Sequence, residues 1–210
     1  MMAWEPLAEF MARGGVVIWV IAGLSVATLA VAMWKAWRLA LTGAWGGGRT
    51  EEALALWARG DAGDAQELLG ARRSLRARLA HAAMGAARAM PEDAAREETL
   101  RIARGLLAEA RAGLRALELS ATIAPLLGLL GTVLGMIAAF QALQEAGAQA
   151  DPATLAGGIW EALLTTAAGM TVAIAASLAL SWFEGVTDRL AHDMEDIATR
   201  VFLGRVGGAK

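Results

Sequence analysis

Two uncharged stretches decide the fold, and they read LSATIAPLLGLLGTVLGMIAAF at residues 119–140 and ALLTTAAGMTVAIAASLALSWF at residues 162–183. As helices that rise about 1.5 Å per residue, each is long enough to cross the hydrocarbon core of a bilayer, which is ~30 Å thick. An earlier uncharged run occupies residues 16–34. The pattern predicts an all-α membrane protein with three transmembrane helices, whose functional site lies where the second and third helices meet.

Composition supports the membrane class and argues against several functions. Of the 210 residues, 57% are hydrophobic and 19% are charged, and the net charge of −2 gives no basic signal for nucleic acid. The chain has no cysteine, and its two histidines, His81 and His192, lie outside the three stretches. Disulfides, thiol nucleophiles and cysteine metal sites are therefore excluded. We predict a protein of the lipid membrane that is not an enzyme, has no metal site or cofactor and binds no nucleic acid.

The positions of lysine and arginine predict the orientation. Residues 35–118 carry 14 of the 19 basic side chains and residues 184–210 carry 4, whereas residues 141–160 carry none. By the positive-inside rule, the N-terminus lies outside and the C-terminus lies in the cytoplasm. The predicted segments are an outer N-terminus at 1–14, a first transmembrane helix at 15–34, a cytoplasmic helical region at 35–118, a second transmembrane helix at 119–140, an outer loop with the start of the third helix at 141–160, a third transmembrane helix at 161–183, and a cytoplasmic C-terminal helix and tail at 184–210.

Further helices are predicted outside the spans. Residues 50–59 and 64–88 are rich in alanine, leucine and arginine, and one continuous helix is expected over residues 91–140 because no stop signal interrupts it. The Asp151-Pro152 pair is expected to begin the third transmembrane helix, with the aspartate as its N-cap. Near the C-terminus, apolar residues recur at helical spacing and predict a stripe that packs against other helices, comprising Val186, Leu190, Met194, Ile197 and Val201.

Small side chains gather on one face of each of the last two transmembrane helices. In the second helix, Gly131 and Gly135 are four residues apart, a spacing that lets membrane helices approach closely. Pro125 lacks an N–H and leaves the carbonyl of Ala121 without its helical donor. The small face of the second helix comprises Ala121, Pro125, Gly128, Gly131, Thr132, Gly135 and Ala139, and that of the third comprises Gly158, Glu161, Thr165, Gly169, Val172, Ala176 and Ala179.

Two interpretations of these faces remain open from the residues alone. They are either helix–helix contacts within a bundle or the lining of a shared central pore. Glu161 favours the pore, since an acid at membrane depth is costly and usually faces a cavity, although it also fits an interfacial carboxylate at the outer headgroups. The hydroxyls of Thr132, Thr165 and Thr166 either bond back to helix carbonyls or order water in a proton path.

Two motifs resemble a known family. Residues 123–137, IAPLLGLLGTVLGMI, resemble the second span of the ExbB/TolQ/MotA proton-channel family, and residues 157–170, GGIWEALLTTAAGM, resemble the third. The resemblance is closest to ExbB, with TolQ next, and covers residues 118–185 by motif and the remainder by layout. It implies that Thr132 and Thr166 take the places of the family's pore threonines.

The same resemblance assigns two more residues and shows two departures. It implies that Glu161 takes the place of the family's third-span glutamate and Pro125 that of its second-span proline. The family usually has proline where this chain has Ala175, and often has Tyr-Asn near the inner end where this chain has Ser181-Trp182. These departures concern the kink of the third helix and a contact near its inner end, and they leave the threonines and Glu161 in place.

The resemblance implies a function as well as a fold. It implies a homopentamer in the bacterial inner membrane, with the outer segments in the periplasm and a dimer of a single-span ExbD-like or TolR-like protein in the pore. Proton flow would move one ring against the other and energise a TonB-like protein for outer-membrane transport. The alternatives are a TolQ-like subunit that energises a TolA-like protein for envelope integrity and, in a different class, a structural helical scaffold without ion flux.

Overall fold

The computed structural model describes residues 15–43, 48–70, 74–147 and 151–207. These residues form helices and no strand, which confirms the all-α class. The helices are α1 (Gly15–Leu41), α2 (Gly48–Arg59), α3 (Ala62–Gly70), α4 (Leu75–Ala89), α5 (Glu92–Arg111), α6 (Leu114–Ala146) and α7 (Pro152–Gly207). By length and composition, α1, α6 and α7 are suited to cross a membrane, as predicted. The predicted outer N-terminus at 1–14 lies outside the described residues.

The chain divides into two compact units. The described residues of Met1–Met33 and Gly113–Ser181 form the first, which we call the span unit. Those of Trp34–Ala112 and Trp182–Lys210 form the second, which we call the head unit. The head unit contains α2 to α5 together with the last residues of α1 and the second part of α7. All the site residues that the sequence predicts fall in the span unit.

An apolar core holds the helices of the head unit together. Leu79 and Met84 of α4 are fully buried in it. Trp57 of α2 is also buried, and its Nε1 donates a hydrogen bond to the backbone carbonyl of Val201 on α7 at 2.9 Å. The apolar stripe predicted on α7 is confirmed, because all five of its residues are buried: Val186, Leu190, Met194, Ile197 and Val201.

The continuous helix expected over residues 91–140 is wrong. The chain leaves the helical conformation after α5, where Ala112 is extended with φ −54° and ψ 134°. Gly113 follows with φ 87°, a left-handed conformation that glycine adopts without a steric penalty. A new helix, α6, then begins at Leu114. The only local signal for this break is one glycine among strong helix formers, and a single glycine does not by itself stop a helix.

Side-chain caps mark the beginnings of two helices. Ser74 is the N-cap of α4, and its hydroxyl accepts a hydrogen bond from the N–H of Ala77 at 3.2 Å. The single helix expected over residues 64–88 is therefore wrong, because α3 and α4 are separate elements. Asp151 accepts a hydrogen bond from the N–H of Ala153 at 3.0 Å, which confirms the predicted start of α7.

Lys35 fixes the end of α5 within the head unit. Its side chain is only 1% exposed, and its ammonium group donates hydrogen bonds to the backbone carbonyls of Ala110 and Ala112, the second at 2.7 Å. The last carbonyls of a helix lack partners within the helix, and a positive charge there is favourable. Lys35 therefore caps α5, and Arg38 adds an ion pair to Glu109 at 3.4 Å on the same turn.

Replacing Lys35 by methionine is expected to destabilise the head unit by about 2 kcal/mol, because hydrogen bonds from a charged group contribute roughly 1.5–3 kcal/mol. Thermal unfolding of the purified protein in detergent measures the loss. The control is Arg101→Met, which removes an exposed cation paired with Glu98 on its own helix and is expected to leave the midpoint unchanged. Equal midpoints for the two variants would contradict a capping role for Lys35.

Candidate functional site

Within the span unit, α6 and α7 approach so closely that their contact requires glycine. A β-carbon built on Gly128 would lie 2.9 Å from Cα of Thr166, and one built on Gly135 would lie 2.8 Å from Cβ of Ala162. Real β-carbons do not approach other carbon atoms this closely, so a side chain at either glycine would force the helices apart. Close backbone approach through small residues is the usual means by which membrane helices pack.

The contact continues toward the proline of α6. A β-carbon on Gly169 of α7 would lie 2.5 Å from the backbone carbonyl oxygen of Ala124 and 3.0 Å from Cα of Gly128. Pro125 stands next to this carbonyl, is partly buried and leaves α6 helical on both sides. The proline turn of α6 therefore packs against a part of α7 that has no side chain.

The threonines of α7 bond across the contact. Thr166 Oγ1 donates a hydrogen bond to the carbonyl of Gly128 at 2.9 Å. Thr165 is only 3% exposed, and its Oγ1 lies 2.7 Å from the carbonyl of Ala162 on its own helix and 3.3 Å from the carbonyl of Gly128. The Gly128 carbonyl is thus the point where both hydroxyls of α7 meet α6. In a membrane, such polar contacts tie helices together.

Thr132 has a different environment. It is partly buried, and its Oγ1 donates to the carbonyl of Leu129, three residues earlier on the same helix, at 2.7 Å. Such a bond satisfies the hydroxyl without joining α6 to another helix. Among the site residues that the sequence predicts, Thr132 therefore lies beside the helix contact rather than within it.

A cavity of about 590 Å³ lies in the span unit beside the α6–α7 contact. It is lined by residues 15–17 at the start of α1, by the C-terminal half of α6 and by the first turns of α7. Glu161 and Thr165 are among the lining residues, whereas Thr132 and Thr166 are not. Of the four predicted path residues, Glu161 and Thr165 therefore line the cavity, Thr166 lies with Thr165 in the α6–α7 contact, and Thr132 lies beside that contact.

Glu161 is partly exposed and contributes the carboxylate of the cavity wall. No ion pair or hydrogen bond joins its side chain to another residue in the part of the chain that the structure describes. The other described residues of the lining are small, apolar or hydroxylated, and none of these is basic. The Glu161 carboxylate therefore borders the cavity without an ion pair to the residues that the structure describes.

One member of the contact, Ala162, was not predicted from the sequence. Ala162 is 2% exposed and packs against Gly135, whereas Glu161, its neighbour, faces the cavity. The contact face of α7 follows Gly158, Ala162, Thr165 and Gly169, which are spaced four, three and four residues apart. This spacing is the normal signature of a helix–helix seam and was visible in the sequence.

The glycine contact predicts a clear difference between two alanine substitutions. Gly131→Ala places its β-carbon 2.7 Å from Cβ of Thr165, so we expect a loss of about 1–3 kcal/mol of stability from overpacking. Gly157→Ala is the matched control, because a β-carbon there meets nothing within 4 Å and alanine favours the helix. Unfolding midpoints of the two variants in detergent check the difference, and an unchanged midpoint for Gly131→Ala would contradict the close contact.

Comparison with known proteins places these motifs in a family. The model of the MotA/TolQ/ExbB proton channel family matches residues 70–196, which include the whole α6–α7 contact. The biopolymer transport protein exbB1 of Vibrio cholerae is 41% identical over 86 residues, which are 39% of this chain and 38% of that protein.

Two further relatives give the same indication. The putative biopolymer transport protein ExbB-like 1 of Synechocystis is 52% identical over 73 residues, which are 34% of this chain and 29% of that protein. The biopolymer transport protein ExbB of Neisseria gonorrhoeae is 41% identical over 86 residues, which are 41% of this chain and 39% of that protein. The matched segments thus span less than two fifths of each of these three relatives.

Proposed function

Because this chain belongs to the MotA/TolQ/ExbB proton channel family, we propose that it is an ExbB-like subunit of an inner-membrane motor driven by proton flow. The motor uses the proton motive force to energise a TonB-like protein for outer-membrane transport. The observation that carries the proposal is the α6–α7 pair, in which Thr132, Thr166 and Glu161 stand on helices that are otherwise uncharged across the bilayer. The relatives' names, which describe them as biopolymer transport proteins, support the proposal.

The polar groups of the pair have complementary roles in this proposal. Thr132 and Thr166 present hydroxyls that order water in the proton path, and each hydroxyl oxygen keeps acceptor capacity beyond the bond it donates. Glu161 attracts cations and holds water, while the proton-carrying carboxylate is the membrane aspartate of an ExbD-like partner. Carboxylates and hydroxyls in otherwise apolar spans are typical of ion pathways.

The proposed assembly is a homopentamer around a dimer of an ExbD-like or TolR-like single-span protein. Proton flow down its gradient then moves one ring relative to the other. A TolQ-like role, energising a TolA-like protein for envelope integrity, differs in the periplasmic partner and not in the spans. The alternative from a different functional class is a structural helical scaffold without ion flux. Such a scaffold would keep its structural role when the Glu161 carboxylate is removed.

Thr166→Val is expected to abolish energy coupling while the protein still inserts and assembles, because valine keeps the shape and removes the hydroxyl. Uptake of a substrate that depends on a TonB-like protein, in cells whose own subunit is deleted, measures the coupling. Thr166→Ser restores the hydroxyl and is expected to recover most of the activity. The matched control is Thr171→Val, since Thr171 is exposed and bonds only to the Ala167 carbonyl of its own helix.

Thr132→Val is expected to have the same effect as Thr166→Val. Full uptake in both variants, with normal amounts of assembled complex, would refute the assignment of the two threonines to the proton path. Normal assembly of Glu161→Ala, together with no ion flux through the unaltered complex, would instead favour the scaffold. The two results are independent, because Glu161 and the two threonines lie at different places in the span unit.

Native mass spectrometry of the chain, co-expressed with an ExbD-like single-span protein, tests the assembly. We expect five copies of this chain holding two copies of the partner. The identity of the periplasmic protein that co-purifies distinguishes the ExbB-like role from the TolQ-like role. A monomer or dimer would contradict the motor and leave the small faces as ordinary helix packing.

A further inference from the structure

We propose that the head unit binds the headgroup of an anionic phospholipid, such as phosphatidylglycerol, at the C-terminal end of α1. Arg38 and Arg78, which meet at Glu109, supply the binding charge, and Trp34 and Trp37 hold the site at the depth of the headgroups. None of these residues belongs to the α6–α7 pair, so the site does not depend on the proposed motor.

The end of α1 places this site at the membrane surface. The uncharged run of α1 ends at Trp34, and Trp34, Trp37 and Arg38 share one face of the helix because they are three and four residues apart. Both tryptophans are exposed, and tryptophan is typical of the headgroup level. Arg38 follows Trp34 by about 6 Å along the helix, which keeps it within a headgroup layer that is ~5–7 Å thick.

Arg38 is held between an aromatic ring and a carboxylate. Its guanidinium carbon lies 5.3 Å from the centre of the Trp34 ring, and its Nη2 lies 3.4 Å from Oε1 of Glu109 on α5. Stacking on an aromatic ring stabilises the guanidinium and limits its conformational freedom. Arg38 therefore loses less freedom than an unrestrained side chain when an anion binds to it.

Arg78 reaches the same carboxylate from α4. The N–H of Leu75 donates a hydrogen bond to the carbonyl of Thr42 at 3.3 Å, so α4 begins beside the end of α1. Three residues further along α4, Nη1 of Arg78 donates to Oε2 of Glu109 at 3.2 Å. Two arginines from different helices thus converge on one carboxylate close to the end of the first span.

This cluster carries more positive than negative charge. Among the described residues, Glu109 is the one carboxylate paired with Arg38 or Arg78, and the nearby Lys35 ammonium donates to backbone carbonyls instead. Three cations therefore share a single carboxylate. The side chains of Arg38 and Arg78 are 35% and 47% exposed, and each uses one nitrogen on Glu109. A guanidinium has five N–H donors, so both arginines keep donors for an incoming anion.

The charge of the cluster selects an anionic lipid. Phosphate oxygens accept paired N–H donors from arginine, and each basic side chain near a membrane surface strengthens binding to anionic lipid by about fivefold. Phosphatidylcholine and phosphatidylethanolamine also contain a phosphate, but their ammonium groups neutralise it and would meet the cations of the cluster. Phosphatidylglycerol has only neutral hydroxyls beside its phosphate, so it keeps the full attraction.

Native mass spectrometry of the full chain, purified in detergent as the complex that it forms, measures the binding. The probes are phosphatidylglycerol and phosphatidylcholine with identical acyl chains. We expect phosphatidylglycerol to bind about tenfold more tightly, and Arg38→Gln and Arg78→Gln each to weaken its binding about fivefold. The matched control is Arg101→Gln, which removes an exposed head-unit arginine paired with Glu98 and is expected to change nothing. Equal affinities for the two lipids, or an equal loss in the control, would overturn the site.

Glu109→Gln gives a prediction of the opposite sign and covers the case in which loss of an arginine prevents folding. It removes the anion that competes for both guanidiniums, so phosphatidylglycerol is expected to bind about fivefold more tightly. Unchanged or weaker binding in this variant would overturn the site.

Inorganic phosphate separates a lipid site from a simple phosphate site. In large excess over the lipid it is expected to leave phosphatidylglycerol bound, because it lacks the acyl chains that lie beside Trp34 and Trp37. Displacement of the lipid by phosphate would overturn the assignment to a lipid. Substrate uptake is not part of these measurements, so loss of the lipid preference would leave the proposed motor untouched.

Discussion

The span unit depends on the absence of side chains where α6 meets α7. Glycines at 128, 131, 135 and 169 let the two backbones approach to distances that no β-carbon permits. That approach brings the Gly128 carbonyl within reach of the hydroxyls of Thr165 and Thr166. Steric and polar requirements are therefore coupled, because the hydroxyls find their partner only where the glycines allow it. Without a hydrophobic driving force between helices in lipid, such contacts are what hold membrane helices together.

The head unit is stabilised by the burial of apolar side chains rather than by close backbone packing. Its core consists of apolar side chains from α2 to α5 and the second part of α7, and burial from water supplies the driving force. Polar groups there cap helix ends, as Lys35 does for α5, or anchor a large side chain, as the Val201 carbonyl does for Trp57. One chain thus uses close backbone packing in the span unit and ordinary hydrophobic burial in the head unit.

Three features were predictable because hydrophobic length, capping and helical spacing are local properties of a sequence. They are the long helices, the start of α7 at Asp151 and the apolar stripe from Val186 to Val201. The break at Gly113 was not predictable, since it accompanies tertiary bonds from the distant Lys35 to the end of α5. The sequence also predicted small-residue faces on α6 and α7, of which Gly128, Gly131, Gly135 and Gly169 lie in the contact, whereas Ala162 was missed. The sequence left open whether those faces form a helix–helix contact or line a pore, because the periodicity of a sequence does not show which helix lies opposite a given face. The pore role of the threonines stays a prediction.

The Gly128 carbonyl has a mechanical consequence for the proposed motor. A screw motion of α7 by one residue would move the Thr166 hydroxyl by about 1.5 Å along the helix axis and turn it by about 100° away from the Gly128 carbonyl. The rotation would replace Thr165, Thr166 and Ala162, which now face the glycines of α6, with their neighbours on α7, and this closely packed contact leaves no room for larger side chains. In the proposed motor, the α6–α7 pair would therefore move as one rigid unit, and relative movement would take place at the boundaries of the pair rather than by sliding between its two helices.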